Sequence, residues 1–328
     1  MADEIAQGLE DSVLPSNPPG VAECLVQTDL QIKPWGLGQV DNTERISQVL
    51  VREVLSKCRP LEINFPVTRG CSKTGHGQGG FIRREATHSS PGGTRTTKYS
   101  VIPVTAKHNL RRVFAPDGGR EHRPTEARFK LRGGYVQMES GDLDWVPTEV
   151  DLFDLRAGLE ARPAWTLYGL DISVAELIDD PMHSATDSNQ SFSKIRQGFT
   201  LEKGQKVGIA VMFDEDSKPT KKTIGGAFEQ GLEVNISELD IERIYGQPGK
   251  VNIYTGEIIY VGEKHIEYSI NSFTGCSGAI VFLLDKDQPP SVDPSDWGRA
   301  VAIHSGAHPT LGDRNYGLLI NHHPSFDY

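Results

Sequence analysis

KVNIYTGEIIYVG (residues 250–262) and, one residue later, KHIEYSI (264–270) are short runs rich in Ile, Val, Tyr and Thr, bounded by turn-forming residues. That composition suits a pleated, half-buried strand. Working outward, the same texture recurs in QKVGIAVMFDED (205–216), GAIVFLLD (278–285), RAVAIHSG (299–306) and NYGLLIN (315–321). An earlier set reads alike: LEINFPVT (61–68), GGFIRRE (79–85), KYSVIPVTA (98–106), RFKLRGGYVQME (128–139) and WVPTEVDLFDLRA (145–157). Short strands separated by turn clusters point to an all-β sandwich or barrel. No regular strand–helix alternation is visible, which argues against a parallel doubly wound sheet.

Around these sets lie other textures. Residues 1–40 are acidic, then rich in Pro and Gly, and read as a tail or strap. In DNTERISQVLVREVLSKCR (41–59), Ile46, Val49, Leu50 and Leu55 fall near a helical period, with Asp41 or Asn42 placed to cap one amphipathic helix. Residues 174–197 are polar and read as a connector with an insertion, and 85–98 and 285–298 as long hairpin loops.

The 328 residues suffice for one large domain or two ordinary ones. A formal net charge of -10 excludes a general nucleic-acid binder, although Arg83 to Arg132 holds twelve Lys/Arg against four acids, read as a solvated face. No apolar run approaches the ~18 residues of a membrane span. Four cysteines, with no basic and apolar leader, lead us to expect a reducing compartment, the cytoplasm or nucleus. A Cys58–Cys71 disulfide is allowed but not implied.

Three motifs carry chemistry. Phe273-Thr274-Gly275-Cys276-Ser277-Gly278-Ala279-Ile280-Val281 places a hydroxyl on a glycine-flanked turn before a buried strand. A hydroxyl nucleophile needs such exposure, a base, and N–H donors for an oxyanion. Val101-Ile102-Pro103-Val104-Thr105-Ala106-Lys107-His108 delivers an imidazole, the natural general base near neutral pH, at a strand end. Val150-Asp151-Leu152-Phe153-Asp154-Leu155-Arg156 offers carboxylates able to orient that imidazole. His322-His323 lacks a partner set at metal spacing, and His76 and His88 sit in loops without evident role.

The motifs follow the order His, Asp, Ser. TAKH, VDLFDLR and GCSGAIV resemble the TAAH, D-[LIV]-A-L-L and GDSGGPV elements of the chymotrypsin-like serine protease family. GHGQGGFI (75–82) resembles the strand before the His element, Ala302-Ile303-His304-Ser305-Gly306 the strand lining the specificity pocket, and Tyr316-Gly317 the last strand. The matched elements span about residues 62–321. The resemblance implies two six-stranded antiparallel β-barrels: residues 59–165 carrying His108 and Asp151, and 166–328 carrying Ser277, preceded by a helical extension over 1–58. It implies a catalytic triad of His108, Asp151 (Asp154 as runner-up) and Ser277, with the Gly275 and Ser277 N–H groups as oxyanion hole. No cofactor or metal is implied; the partner is a protein or peptide substrate.

Lys107 and Ala279 depart mildly from the family pattern. Cys276 stands where trypsin-type zymogens hold an Asp, so that activation switch is not expected. The register favours Ser277 over Cys276 as nucleophile. Six residues before Ser277 stands Asn271, not the Asp that selects Arg or Lys, with Ser272 next and His304 on the pocket strand. By resemblance to glutamyl endopeptidases and picornaviral-type proteases, Asn271, Ser272, His304 and Gly306 would form a pocket reading Glu or Gln at P1, since imidazole and hydroxyl donors suit such acceptors. The rival reading is a protease fold kept only for binding. An α/β-hydrolase is disfavoured by motif order and by Ala279.

Overall fold

The computed structural model describes residues 45–67, 71–89, 95–110, 112–113, 121–122, 126–137, 143–151, 171–174, 191–224, 235–307 and 314–322. The expected tail over 1–40, the caps Asp41 and Asn42, Asp154 and most of the 174–197 connector lie outside them.

The C-terminal half is a closed six-stranded barrel. Its strands are β10 (Lys206–Met212), β11 (Val251–Val261), β12 (His265–Tyr268), β13 (Ile280–Leu283), β14 (Ala300–Ala307) and β15 (Asn315–Leu319), closed in the order β10-β11-β12-β15-β14-β13 with antiparallel pairings throughout.

In the N-terminal half the described residues form a sheet and do not by themselves close into the expected second barrel. Its strands are β1 (Arg59–Val67), β2 (Cys71–Ser89), β3 (Arg95–Ala106), β6 (Glu126–Gln137), β7 (Leu143–Asp151), β8 (Ile172–Val174) and β9 (Phe192–Ser193); β4 (Arg112–Val113) and β5 (Glu121–His122) form a separate ribbon. The path runs β7-β6-β1-β2-β3-β8, with β9 parallel on β2. Among the described residues its ends do not meet, so this half is a seven-stranded sheet. Strand β8 pairs with β3 through Ala106↔Ile172 and Thr105↔Ser173. The expected loop at 85–98 is instead largely strand, paired as far as Ser89↔Arg95.

Barrel strands read as continuous apolar runs because both faces are covered. On β10, Val207, Ile209 and Val211 join Tyr254, Ile258, Tyr268 and Val281 in the barrel core. The alternate Ala210 and Met212 join a second cluster with Ile82 and Val104 of the first sheet. On β13, Val281 and Leu283 face one cluster, Ile280 and Phe282 the other.

The expected amphipathic helix is α1 (Gln48–Lys57), capped not by Asp41 or Asn42 but by Ser47, whose Oγ accepts from Leu50 N–H at 3.2 Å. Leu50, Val51, Val54 and Leu55 are buried in the inter-half cluster; Val49, expected on the apolar face, is 68% exposed. Asp285 Oδ1 accepts from Ser47 N–H at 2.9 Å, tying the helix start to the turn after β13. A short helix α2 (Glu238–Tyr245), not expected from the sequence, precedes β11 and buries Ile241, Ile244 and Tyr245. Cys58 and Cys276 are buried and are not joined in a disulfide; the side chain of Cys71, the sequence's candidate partner for Cys58, lies outside what the structure describes. No helix among the described residues is long and apolar enough to cross a membrane.

Candidate active site

Strand β3 ends at Ala106, and a single 3-10 turn over Lys107–Leu110 carries the imidazole out of the sheet. His108 is exposed while its neighbours Asn109 and Leu110 are buried. This geometry is held from β8. Lys107 N–H donates to Asp171 O at 3.0 Å, and His108 N–H donates to Asp171 Oδ1 at 2.8 Å. His108 Nδ1 lies 2.5 Å from Asp171 Oδ2.

The carboxylate at the imidazole is therefore Asp171, not Asp151. The sheet order supplies the reason. Asp151 ends β7, in register with Arg128 of β6, and β6, β1 and β2 separate β7 from β3. Four strand spacings amount to ~19 Å along a sheet. Strand β8 pairs directly with β3, so the residue just before it falls beside the turn after Ala106.

Burial alone would push the Asp171 carboxyl up. The adjacent His108 charge, with hydrogen bonds from the His108 ring, the Ser305 hydroxyl and the His108 amide, outweighs burial and holds it below the ordinary carboxylate value. Ser305 Oγ donates to Asp171 Oδ2 at 2.5 Å and lies 3.1 Å from the Tyr316 hydroxyl. The carbonyl of the same Ser305 accepts from Ser277 Oγ at 3.1 Å. One residue of β14 thus touches both the acid and the candidate nucleophile. Sequence reasoning singled out its neighbours His304 and Gly306 but assigned Ser305 no role.

Ser277 lies on a turn built by glycines. Gly278 has φ +93°, and a Cβ there would lie 2.0 Å from Gln78 O, so glycine alone fits. Gly275 has φ +124°. Neither Gly275 N–H nor Ser277 N–H donates to any atom among the described residues, as an oxyanion hole requires. Cys276, between them, is buried; its Sγ lies 3.5 Å from Phe273 N, and burial raises the thiol far above its ordinary range. A thiol so protonated and enclosed is a poor nucleophile, which favours Ser277.

The expected specificity residues fall in two places along the chain: His304 and Gly306 in β14, Asn271 and Ser272 in the segment between β12 and β13. His304 is fully buried, with Nδ1 2.6 Å from Tyr268 Oη. Burial first, and the charge of His108 second, bring its pKa down to about 3, so the ring is neutral at ordinary pH. Burial also raises the Tyr268 phenol, which stays protonated. The Ser272 hydroxyl is already committed: it donates to Asn315 Oδ1 at 2.7 Å, and Asn315 Nδ2 donates to Ile270 O. It can therefore only accept from a ligand, contrary to the donor role expected of it. Asn271 is buried at the margin, and Gly306 is half-buried where the β14–β15 register shifts.

No family model matches this chain, and no curated protein matches it. Among solved structures it is similar to the active form of the Rv3671c protease from M. tuberculosis (10% identity, 84% of this chain and 81% of that one, TM-score 0.42). It is also similar to the thermostable serine protease AL20 from an extremophilic microorganism (12% identity, 81% and 92%, TM-score 0.40). A Glu endopeptidase in complex with MPD is a third (12% identity, 86% and 91%, TM-score 0.39).

Proposed function

We propose that the protein is a serine endopeptidase in which Ser277 attacks a peptide carbonyl, with His108 as general base and Asp171 as its orienting acid. The single observation that carries this is that His108 is paired with Asp171, and that Ser305 bonds Asp171 through its hydroxyl and Ser277 through its carbonyl. Structural ion pairs also join His to Asp, but seldom beside a glycine-flanked hydroxyl with two unused backbone donors.

The chemistry follows. Asp171 keeps the His108 proton on Nδ1, leaving Nε2 free to accept. As Ser277 Oγ bonds to the carbonyl carbon, its proton passes to Nε2. The carbonyl electron pair moves to oxygen, which the Gly275 and Ser277 N–H groups stabilise. Collapse expels the amine, which takes the proton from Nε2, and leaves an acyl-enzyme. Water, deprotonated by the same Nε2, then releases the acid and restores Ser277. In the resting arrangement Ser277 Oγ donates to Ser305 O, so its hydrogen must swing away from that carbonyl to engage the base.

His304 gives the reading a finer form. With a protonated phenol donating to Nδ1, the neutral ring carries its proton on Nε2 and can donate to a Glu or Gln side chain at P1. The alternative, a fold retained for binding, draws on the resting Ser277 contact. Fluorophosphonate labelling separates the two: an activated serine reacts, and Ser277→Ala abolishes the label. A peptide library cleaved with enrichment for Glu or Gln at P1 supports the pocket reading; preference for Arg or large apolar residues rejects it.

A further inference from the structure

The peptides around the nucleophile fall into two alternating kinds. The Gly275–Cys276 peptide is engaged at both ends: Cys276 N–H donates to Phe273 O at 3.0 Å, and Gly275 O accepts from Gln78 Nε2 at 3.3 Å. The Ser277–Gly278 peptide is engaged likewise. Gly278 N–H donates to His304 O at 2.8 Å, while Ser277 O accepts from Gln78 N–H at 2.9 Å and Asn109 Nδ2 at 2.8 Å. The Thr274–Gly275 and Cys276–Ser277 peptides carry the two unused N–H groups; Cys276 O accepts from Ala279 N–H at 3.0 Å, and Thr274 N–H donates to Thr223 O at 2.7 Å, so the Thr274–Gly275 plane also lies between two engaged peptides. Peptide units are planar, so fixing alternate planes confines the orientation of the planes between them.

Both anchoring amides, Gln78 on β2 and Asn109 in the 3-10 turn after β3, are buried. Gln78 is braced on the barrel, its Nε2 donating to Met212 O at 2.7 Å and its Oε1 accepting from Met212 N–H at 3.3 Å. Asn109 Nδ2 also donates to Thr105 Oγ1, which in turn donates to Gln78 O at 2.6 Å. The sequence leaves room for this: a Cβ at Gly77 would stand 2.5 Å from Asn109 Nδ2.

We infer that Gln78 and Asn109 are positioning residues of the oxyanion site, holding the carbonyls of Gly275 and Ser277 so that the Ser277 N–H between them and the adjoining Gly275 N–H converge on one oxygen. This rests on the serine endopeptidase reading. It assigns a kinetic role to two residues that touch neither substrate nor reacting atoms.

The test uses the full chain and Gln78→Met, which keeps side-chain length and packing but makes no hydrogen bond. Losing one oxyanion donor outright costs about 100- to 1,000-fold in kcat; Gln78→Met frees the Gly275 carbonyl while the backbone N–H at position 78 and Asn109 still hold Ser277 O, so this misaiming should cost ~10- to 100-fold. KM should stay within about twofold, because ground-state binding is untouched. The affinity of a peptidyl boronate, whose tetrahedral oxygen occupies the oxyanion position, should fall in parallel with kcat. Gln78→Glu supplies a second readout. Protonated, its carboxyl still donates to a carbonyl; ionised, it repels Gly275 O and Met212 O. Its kcat relative to the parent should therefore fall as pH rises.

Unchanged kcat and boronate affinity in Gln78→Met overturn the inference, as does a kcat loss without weaker boronate binding. Should Gln78→Met not fold, a pH-independent Gln78→Glu ratio overturns it. A parent protein inert to fluorophosphonate defeats the underlying serine reading instead; a labelled parent with an unaffected Gln78→Met defeats only this inference.

Discussion

Replacing Asp171 by Asn tests the site most sharply, because Asp171 and Asp151 make opposite predictions. Asp171 Oδ1 accepts the His108 amide, and Oδ2 accepts both the His108 ring and the Ser305 hydroxyl. In Asp171→Asn the amide oxygen can keep the first bond. Its NH2 must then face Nδ1 and Ser305 Oγ, and as a donor it forces the imidazole proton onto Nε2. In that tautomer the base cannot accept from Ser277. The equivalent change in a well-studied Ser-His-Asp triad lowers kcat about ten-thousandfold, a barrier increase of ~5.4 kcal/mol. We expect a loss of that order in kcat/KM for Asp171→Asn, and less than about threefold for Asp151→Asn, whose strand lies four spacings away. Peptide hydrolysis should be followed across pH, normalised to folded protein by circular dichroism. An Asp171→Asn variant within tenfold of the parent, or an Asp151→Asn variant equally impaired, would refute the assignment.

Cys276→Ala should retain activity within about threefold, since a buried, protonated thiol takes no part; loss of fluorophosphonate labelling would contradict this. Gly278→Ala combines φ +93° with a 2.0 Å clash against Gln78 O and should cost at least ~3 kcal/mol in thermal denaturation, or prevent folding. Leu50→Ala should cost ~2–4 kcal/mol in urea denaturation, because α1 is seated in the inter-half cluster; a smaller loss would mean α1 is dispensable. His304 has its pKa lowered to about 3, so the unfolded chain binds this proton first: stability should erode as pH falls from ~6.5 towards 3, and His304→Gln should flatten that limb. Asp171, also depressed, contributes stability above the ordinary carboxylate value that is lost only as pH drops below it, so the two windows are separable.

The C-terminal barrel was legible because both faces of its strands are covered, leaving long β-branched runs such as those of β10 and β11. Glycine spacing marked the Ser277 turn, and Thr-Ala before His108 marked the end of β3. The acid was not legible. Asp151 and Asp171 each precede or end a short apolar run, and Asp171-Ile172-Ser173-Val174 fits the same D-[LIV] pattern. Only the pairing of β8 with β3 distinguishes them, and strand order is a non-local property. Ser305 was missed because a serine within the pocket strand carries no local signal. Helix α2 escaped because eight residues show only two turns of periodicity, although Ser237 caps it by accepting from Asp240 N–H. Val49 was misassigned because Ile46 lies before the Ser47 cap and so sets no helical face; within α1 the buried stripe runs through Leu50, Val51, Val54 and Leu55, and Val49 falls off it.

The bracing of Gln78 between Met212 and Gly275 has a mechanical consequence. The reactive turn is shared property: its backbone springs from the barrel, yet its aim is set by the neighbouring sheet. Prying the halves apart by an ångström would slacken the turn while leaving every strand intact. Heat or mild denaturant should therefore silence turnover before any spectroscopic sign of melting, the seam behaving as a fuse.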